Sequence, residues 1–114
     1  MLTATSTSNA LTVDSTYYGK TLFYSPTDTA AITLPAAGAA AGSWIKVVCL
    51  TDQTWAANAA VADTLITRNN TTADGVTFST ASNKIGSSLL LISNGTYWVA
   101  TNESDCTLTI VDGA

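Results

Sequence analysis

Apolar and polar residues alternate in short stretches from Leu11 onward, and Gly, Asn, Asp, Ser or Pro mark the breaks between them. Successive side chains of a strand point to opposite faces, so this period of two predicts short β-strands with one side buried. The stretches are residues 11–16, 20–24, 30–34, 44–50, 64–68, 76–79, 88–93, 96–101 and 106–111. They predict an all-β, single-domain antiparallel β-sandwich or β-barrel-like fold of about eight or nine short strands across residues 11–114. Residues 1–10 open with MLTATSTSN, which is rich in Thr and Ser and has no apolar period. That segment is expected to be an extended N-terminal arm.

Alternation also assigns faces. In residues 44–50, Ile45, Val47 and Cys49 form the better core face, with Trp44, Lys46, Val48 and Leu50 opposite. In residues 106–111, Cys106, Leu108 and Ile110 are expected inward and Thr107 and Thr109 outward. Asn94-Gly95 lies between SSLLLIS and TYWVAT, and both residues tolerate the positive φ that a type I′ turn needs, so a two-residue hairpin is expected there. That register sets Ile92 opposite Tyr97 and Leu90 opposite Val99, and both faces of the hairpin are then apolar. A doubly apolar hairpin lies between two packed layers or turns one face toward another subunit. Residues 36–41 are Ala-rich, but Gly38 and Gly42 interrupt them and a loop is expected. Residues 55–62 fit a short helical turn or an irregular strand equally well.

Composition narrows what such a domain can do. Apolar residues make up 46% of the 114 positions and charged residues 11%, well below the roughly 25% usual in soluble domains. Little charge repulsion opposes self-association, which favours an oligomer or a larger assembly. The net charge is −4, with Lys20, Lys46, Arg68 and Lys84 as the cations, so no line of phosphates can be neutralised and nucleic acid is not an expected partner. No apolar run approaches the roughly 20 residues of a membrane-spanning helix, and the start lacks the pattern of a secretory signal.

Chemistry has little to work with. The chain contains no His, the commonest general base and metal ligand. Asp14, Asp28, Asp52, Asp63, Asp74, Glu103, Asp105 and Asp112 sit mostly beside Thr, Ser, Asn or Gly, where turn formation explains them. Asn69, Asn70 and Asp74 offer oxygens to a cation, but the alternating acidic loop with a closing Glu is missing, so neither a metal nor another cofactor is expected. Cys49 and Cys106 could meet as a disulfide if their strands are opposed, but with no secretory signal two buried free thiols are the expectation, and a small hydrolase built on Ser or Thr with Lys lacks a recognisable nucleophile context. A non-enzymatic protein is the expectation. Of Trp44, Trp55 and Trp98, Trp55 is least explained by strand packing and is the candidate glycan contact if the domain binds sugars.

From Leu11 to Thr101 the chain resembles a family of small structural modules in tailed-bacteriophage particles. The resemblance rests on features in order: Asp14 and Gly19 before Thr21 and Phe23, then Ile32-Thr33-Leu34-Pro35 and an Ala/Gly loop. Gly42 follows, leading into the strand at Trp44, and last comes Ser93-Asn94-Gly95-Thr96-Tyr97-Trp98. It implies a head decoration (cement) protein or a part of a tail or fibre. A short chain starting at Met fits the stand-alone cement module better. The expected partners are then further copies of itself, as a homotrimer, and the major capsid protein, and the expected place is the capsid exterior of a virion made in the host cytoplasm. Met1, Leu2 and Thr3 of the arm, with Leu90, Ile92, Tyr97 and Val99 of the hairpin, are the candidate subunit or capsid interface. The alternative is a tail-fibre or spike domain that binds host-surface glycans through Trp55.

Overall fold

Alternation along the sequence becomes alternation of burial in the strands. In Trp44–Cys49, Ile45, Val47 and Cys49 are fully buried while Trp44, Lys46 and Val48 are not. The computed structural model describes residues 3–112, and twelve strands occur among them. These are β1 (Thr3–Ser6), β2 (Ala10–Thr12), β3 (Lys20–Tyr24), β4 (Ala30–Leu34), β5 (Trp44–Cys49) and β6 (Trp55–Ala59), then β7 (Leu65–Thr67), β8 (Asn70–Ala73), β9 (Gly75–Phe78), β10 (Ser88–Ser93), β11 (Trp98–Asn102) and β12 (Thr109–Val111). A seven-stranded sheet in the order β1-β3-β5-β10-β11-β7-β8 faces a five-stranded sheet in the order β12-β9-β6-β4-β2. The architecture is therefore an all-β, sandwich-like single domain.

The sheets are mixed rather than antiparallel, which corrects one part of the sequence expectation. From β1 to β6 the chain alternates between the two sheets, and each return lays a strand parallel to the one before it. Thr21 of β3 pairs with Thr3 of β1 and with Lys46 of β5, and Ile32 of β4 pairs with Leu11 of β2 and with Ala57 of β6. Parallel neighbours need a crossover, commonly a helix. Here each crossover is a strand of the opposite layer, so the first half winds around its own core. The segment expected as an arm takes part: Thr3–Ser6 is an edge strand on β3. Ser6 and Asn9 accept backbone N–H groups of Ser25 and Ala31, and the Ser8 carbonyl accepts the Tyr24 hydroxyl at 2.6 Å. Met1 and Leu2 lie outside the described residues.

From β7 onward, hairpins dominate. β10 and β11 pair antiparallel as expected, but Ser93 faces Trp98 and Ile92 faces Val99, two residues on from the expected register. The connection is a four-residue loop, not a type I′ turn. Gly95 alone takes positive φ, at 97°, and the Asn94 side chain closes the loop by accepting the N–H groups of Thr96 and Tyr97 at 2.9 and 2.8 Å. A slip of two residues preserves side-chain parity. Leu89, Leu91, Trp98 and Ala100 accordingly stay inside, and Leu90, Ile92 and Val99 stay outside. The two-residue loop with positive φ at both central positions occurs instead at Arg68 (47°) and Asn69 (67°), between β7 and β8.

The core centres on Trp55, which stacks on Phe78 with centroids 5.0 Å apart and meets Tyr24 edge-on at 6.1 Å. Its indole N–H donates to Ser87 Oγ at 2.8 Å. Trp98 is equally buried and donates to the Pro35 carbonyl, tying the second hairpin to the short 3-10 turn Ala37–Ala40. Cys49 is buried and Cys106 half-buried, and both are free.

Candidate functional site

The outer face of the seven-stranded sheet carries a group of accessible apolar residues held together by strand pairing, whereas Val61, Ile85 and Val111 are exposed singly outside it. β5, β10, β11 and β7 are neighbours, and their registers align Trp44, Ile92, Val99 and Ile66 in one cross-strand row. At about 4.8 Å between strands the row spans roughly 14 Å. Trp44 and Ile92 keep 39% and 41% of their surface accessible, and Val99 and Ile66 are half-buried. A second row runs Thr3, Thr21, Lys46, Leu90 and Thr101, from the edge strand to β11. Thr3, Leu90, Ile92 and Val99 of the expected interface thus share one face. Tyr97 lies apart from both rows, in the loop that leads into β11.

Neither row carries a carboxylate, although acids outnumber bases eight to four in the chain. Lys46 stands in the second row and Arg68 at the far edge, so these two rows carry positive charge only, while Glu103 borders the next row beside Ser88. Beyond β11 the face ends in a cavity of about 430 Å³, lined among others by Ile66, Val99, Arg68 and Thr101. The turn at Arg68 and Asn69 makes this cavity. Parallel pairing of β7 with β11 stops at Ile66 and Val99, and β7 then doubles back into β8. The Arg68 Nη1 donates to the Leu108 carbonyl at 3.0 Å, which ties the guanidinium to the segment leading into β12. Asn102 and Ser104, also lining residues, are bonded to each other and to the backbone at Cys106 and Ser88. They form a fixed side.

Trp55 does not serve as a glycan contact. It is wholly buried, its ring faces are taken by core aromatics and its N–H is occupied, so no sugar ring can stack on it. The exposed tryptophan is Trp44, and its position opposite the core set of β5 was the readable signal. The carboxylates Asp63, Asp74 and Asp112, scattered in sequence, converge so that one oxygen of each lies within 4.8 Å of the others. Asp74 Oδ1 accepts the Asp63 N–H, and Asn70 Nδ2 donates to Asp112. Such a group has the oxygen chemistry of a hard-cation site. Of the sequence candidates for cation binding, Asp74 is a member, Asn70 touches it through Asp112, and Asn69 takes the adjoining turn.

Burial pushes the Tyr24 phenol up to about 12, helped by neighbouring Cys49, and raises the Cys49 thiol as well. Both groups sit in the core, away from the outer face. Asp14 is held below the ordinary carboxylate range by the Thr16 hydroxyl and amide, which is the work of a turn-capping residue. Compared with protein-family models, curated proteins and solved structures, the chain has no match in any of the three.

Proposed function

We propose that the protein is a non-enzymatic assembly module that docks through the outer face of its seven-stranded sheet. The observation that carries this reading is the row Trp44, Ile92, Val99 and Ile66, apolar and accessible across four adjacent strands. Aromatic and aliphatic residues grouped on a face with few charges are the makings of an interface centre. The surface it covers, on this reading, is the outside of a bacteriophage capsid, where the protein acts as a decoration (cement) protein on the major capsid protein. That choice rests on the resemblance carried by Ile32 to Pro35 and Ser93 to Trp98. The mechanism is mass action: a subunit that bridges neighbouring capsomers binds the assembled shell and not its parts, and so stabilises the shell. Three copies acting as a trimer would add avidity without new contacts.

Co-sedimentation with shells that lack the protein tests the reading, alongside a solution mass. The expected results are pelleting with shells and a mass about three times the 11.7 kDa of one chain. Ile92→Glu should abolish pelleting and leave the melting temperature nearly unchanged, because Ile92 is exposed. A monomer that ignores shells would refute the capsid role, and an Ile92→Glu variant that pellets normally would remove this face from it.

A further inference from the structure

The cavity at the end of the face combines features that the docking reading does not use. Arg68 is its charged lining residue, one guanidinium N–H is spent on the Leu108 carbonyl, and no carboxylate pairs with it among the described residues. Five N–H groups in a planar fork leave donors for an incoming acceptor. Thr67 lines the same cavity with 2% of its surface exposed, and its hydroxyl has no hydrogen-bond partner, a costly state for a buried polar group. The free donors of the cavity are those of Arg68, while the Thr67 hydroxyl, which can donate or accept, lies buried. Lys46, in the row alongside, adds positive charge with no acid opposing it in either row.

The shape selects the kind of acceptor. β11 runs to Asn102, but β7 accompanies it only as far as Val99. Over Ala100, Thr101 and Asn102 the flank of β11 away from β10 meets the cavity instead of β7, and the opening continues into the apolar row through Ile66 and Val99. An extended chain laid there pairs with β11 in line with the end of β7, with apolar side chains beside Ile66 and Val99 and one acidic side chain at Arg68. We propose that this cavity is a specificity pocket that captures an Asp or Glu side chain from an extended segment of the partner protein, with Arg68 as its carboxylate receptor. The inference rests on the docking reading of this face and names the chemistry of the segment that the face takes.

The test uses the full chain, labelled with ¹⁵N and titrated with two blocked peptides, acetyl-Thr-Val-Glu-Val-Thr-amide and its Gln counterpart. The Glu peptide is expected to shift the amide signals of Arg68 and Ala100 to Asn102 saturably, and the Gln peptide to bind roughly tenfold more weakly. Arg68→Gly should erase that preference without unfolding the protein, because glycine is at ease at the φ of 47° that Arg68 occupies. Arg68→Gln, which keeps a long side chain and loses the charge, should erase it too, and Arg68→Lys should retain only part of it. Equal binding of the two peptides, shifts confined to other residues, or a preference that survives both neutral variants would each overturn the proposal. Shifts at Arg68 alone, reproduced by acetate, would mean an anion site without a strand. Shifts that grow with protein concentration in the absence of peptide would make a second copy the occupant. Because peptide binding is read without shells, it can fail while co-sedimentation succeeds, and the reverse.

Discussion

The two halves of the sandwich are built on opposite rules. β1 to β6 wind back and forth between the layers and meet their neighbours in parallel, so Thr21 finds Thr3 and Lys46, partners 18 and 25 residues away. β7 to β12 rely mainly on antiparallel pairs, the parallel pair of β7 with β11 being the exception, with β7 and β8 two residues apart and β10 and β11 joined by four. A hairpin is specified by the turn between its strands, whereas a winding is specified only when the next coil arrives to cover the last one. The outer apolar row needs both: Trp44 comes from the winding, and Ile92, Val99 and Ile66 come from the other half.

The largest expected effect is at the junction. β6 pairs in parallel with β4 and antiparallel with β9, and its Trp55 touches Tyr24 of the winding and Phe78 of the hairpin half. Trp55→Ala should cost about 4 kcal/mol of unfolding free energy, the range for a buried tryptophan. Urea unfolding followed by fluorescence and by far-UV dichroism should show one coincident transition at lower midpoint. Two separated transitions would mean that the halves are independent units, and the comparison would then describe two folds rather than one.

A smaller loss is expected at Gly75, which sits between Asn58 of β6 and Val111 of β12. A Cβ there would collide with the Asn58 side chain and come within 2.8 Å of the Ala57 carbonyl. Backbone cannot yield as a flexible side chain does, so Gly75→Ala should cost about 3 kcal/mol. Its amide-exchange signature should concentrate in β6, β9 and β12. Uniform loss of protection out to β1 and β3 would show that the winding has no stability of its own.

Asn94 sharpens the local side of the comparison. Its Oδ1 accepts two backbone N–H groups of the loop, and Asn94→Ala removes both bonds without touching the core. A loss of about 1 kcal/mol is expected in thermal unfolding. A loss above about 3 kcal/mol would make this loop as critical as the junction.

The same contrast explains what was legible in the sequence. Lys20–Tyr24, Ala30–Leu34 and Ser88–Ser93 were readable to the residue because alternation is a local property and turn residues flank each stretch. Parallel pairing was not readable, since no local signal distinguishes a strand that turns back from one that crosses to the other layer. Thr3–Ser6 carries no apolar period and becomes a strand because β3 offers an edge to it. The hairpin register failed because Asn94 uses its side chain, not a positive φ, to close the loop. The outer face was half visible: the double apolarity of the hairpin announced it, but Ile66 and Trp44 joined only through pairings across sequence. Arg68, a positive-φ residue with no glycine beside it, gave no turn signal.

The last expected effect concerns alkaline pH and tests whether the first coil closes over its core. The Tyr24 hydroxyl donates to Ser8, in the link between β1 and β2, and burial raises its phenol from the ordinary 10.0 to about 12. The folded state therefore holds this proton more tightly than the unfolded state. The stabilisation is complete below about pH 10 and is lost as pH rises from there toward 12, because the unfolded chain then binds fewer protons than the folded one. Cys49, also raised by burial, erodes stability in the same direction. Urea midpoints should fall across this window, and Tyr24→Phe should start lower at neutral pH, by about 1 kcal/mol for the lost hydrogen bond, yet decline less steeply. An identical slope in the variant would mean that Tyr24 ionises as freely folded as unfolded, and that its phenol is not enclosed by the core. A flatter slope would show that the first coil keeps water from the Tyr24 phenol until the whole domain unfolds.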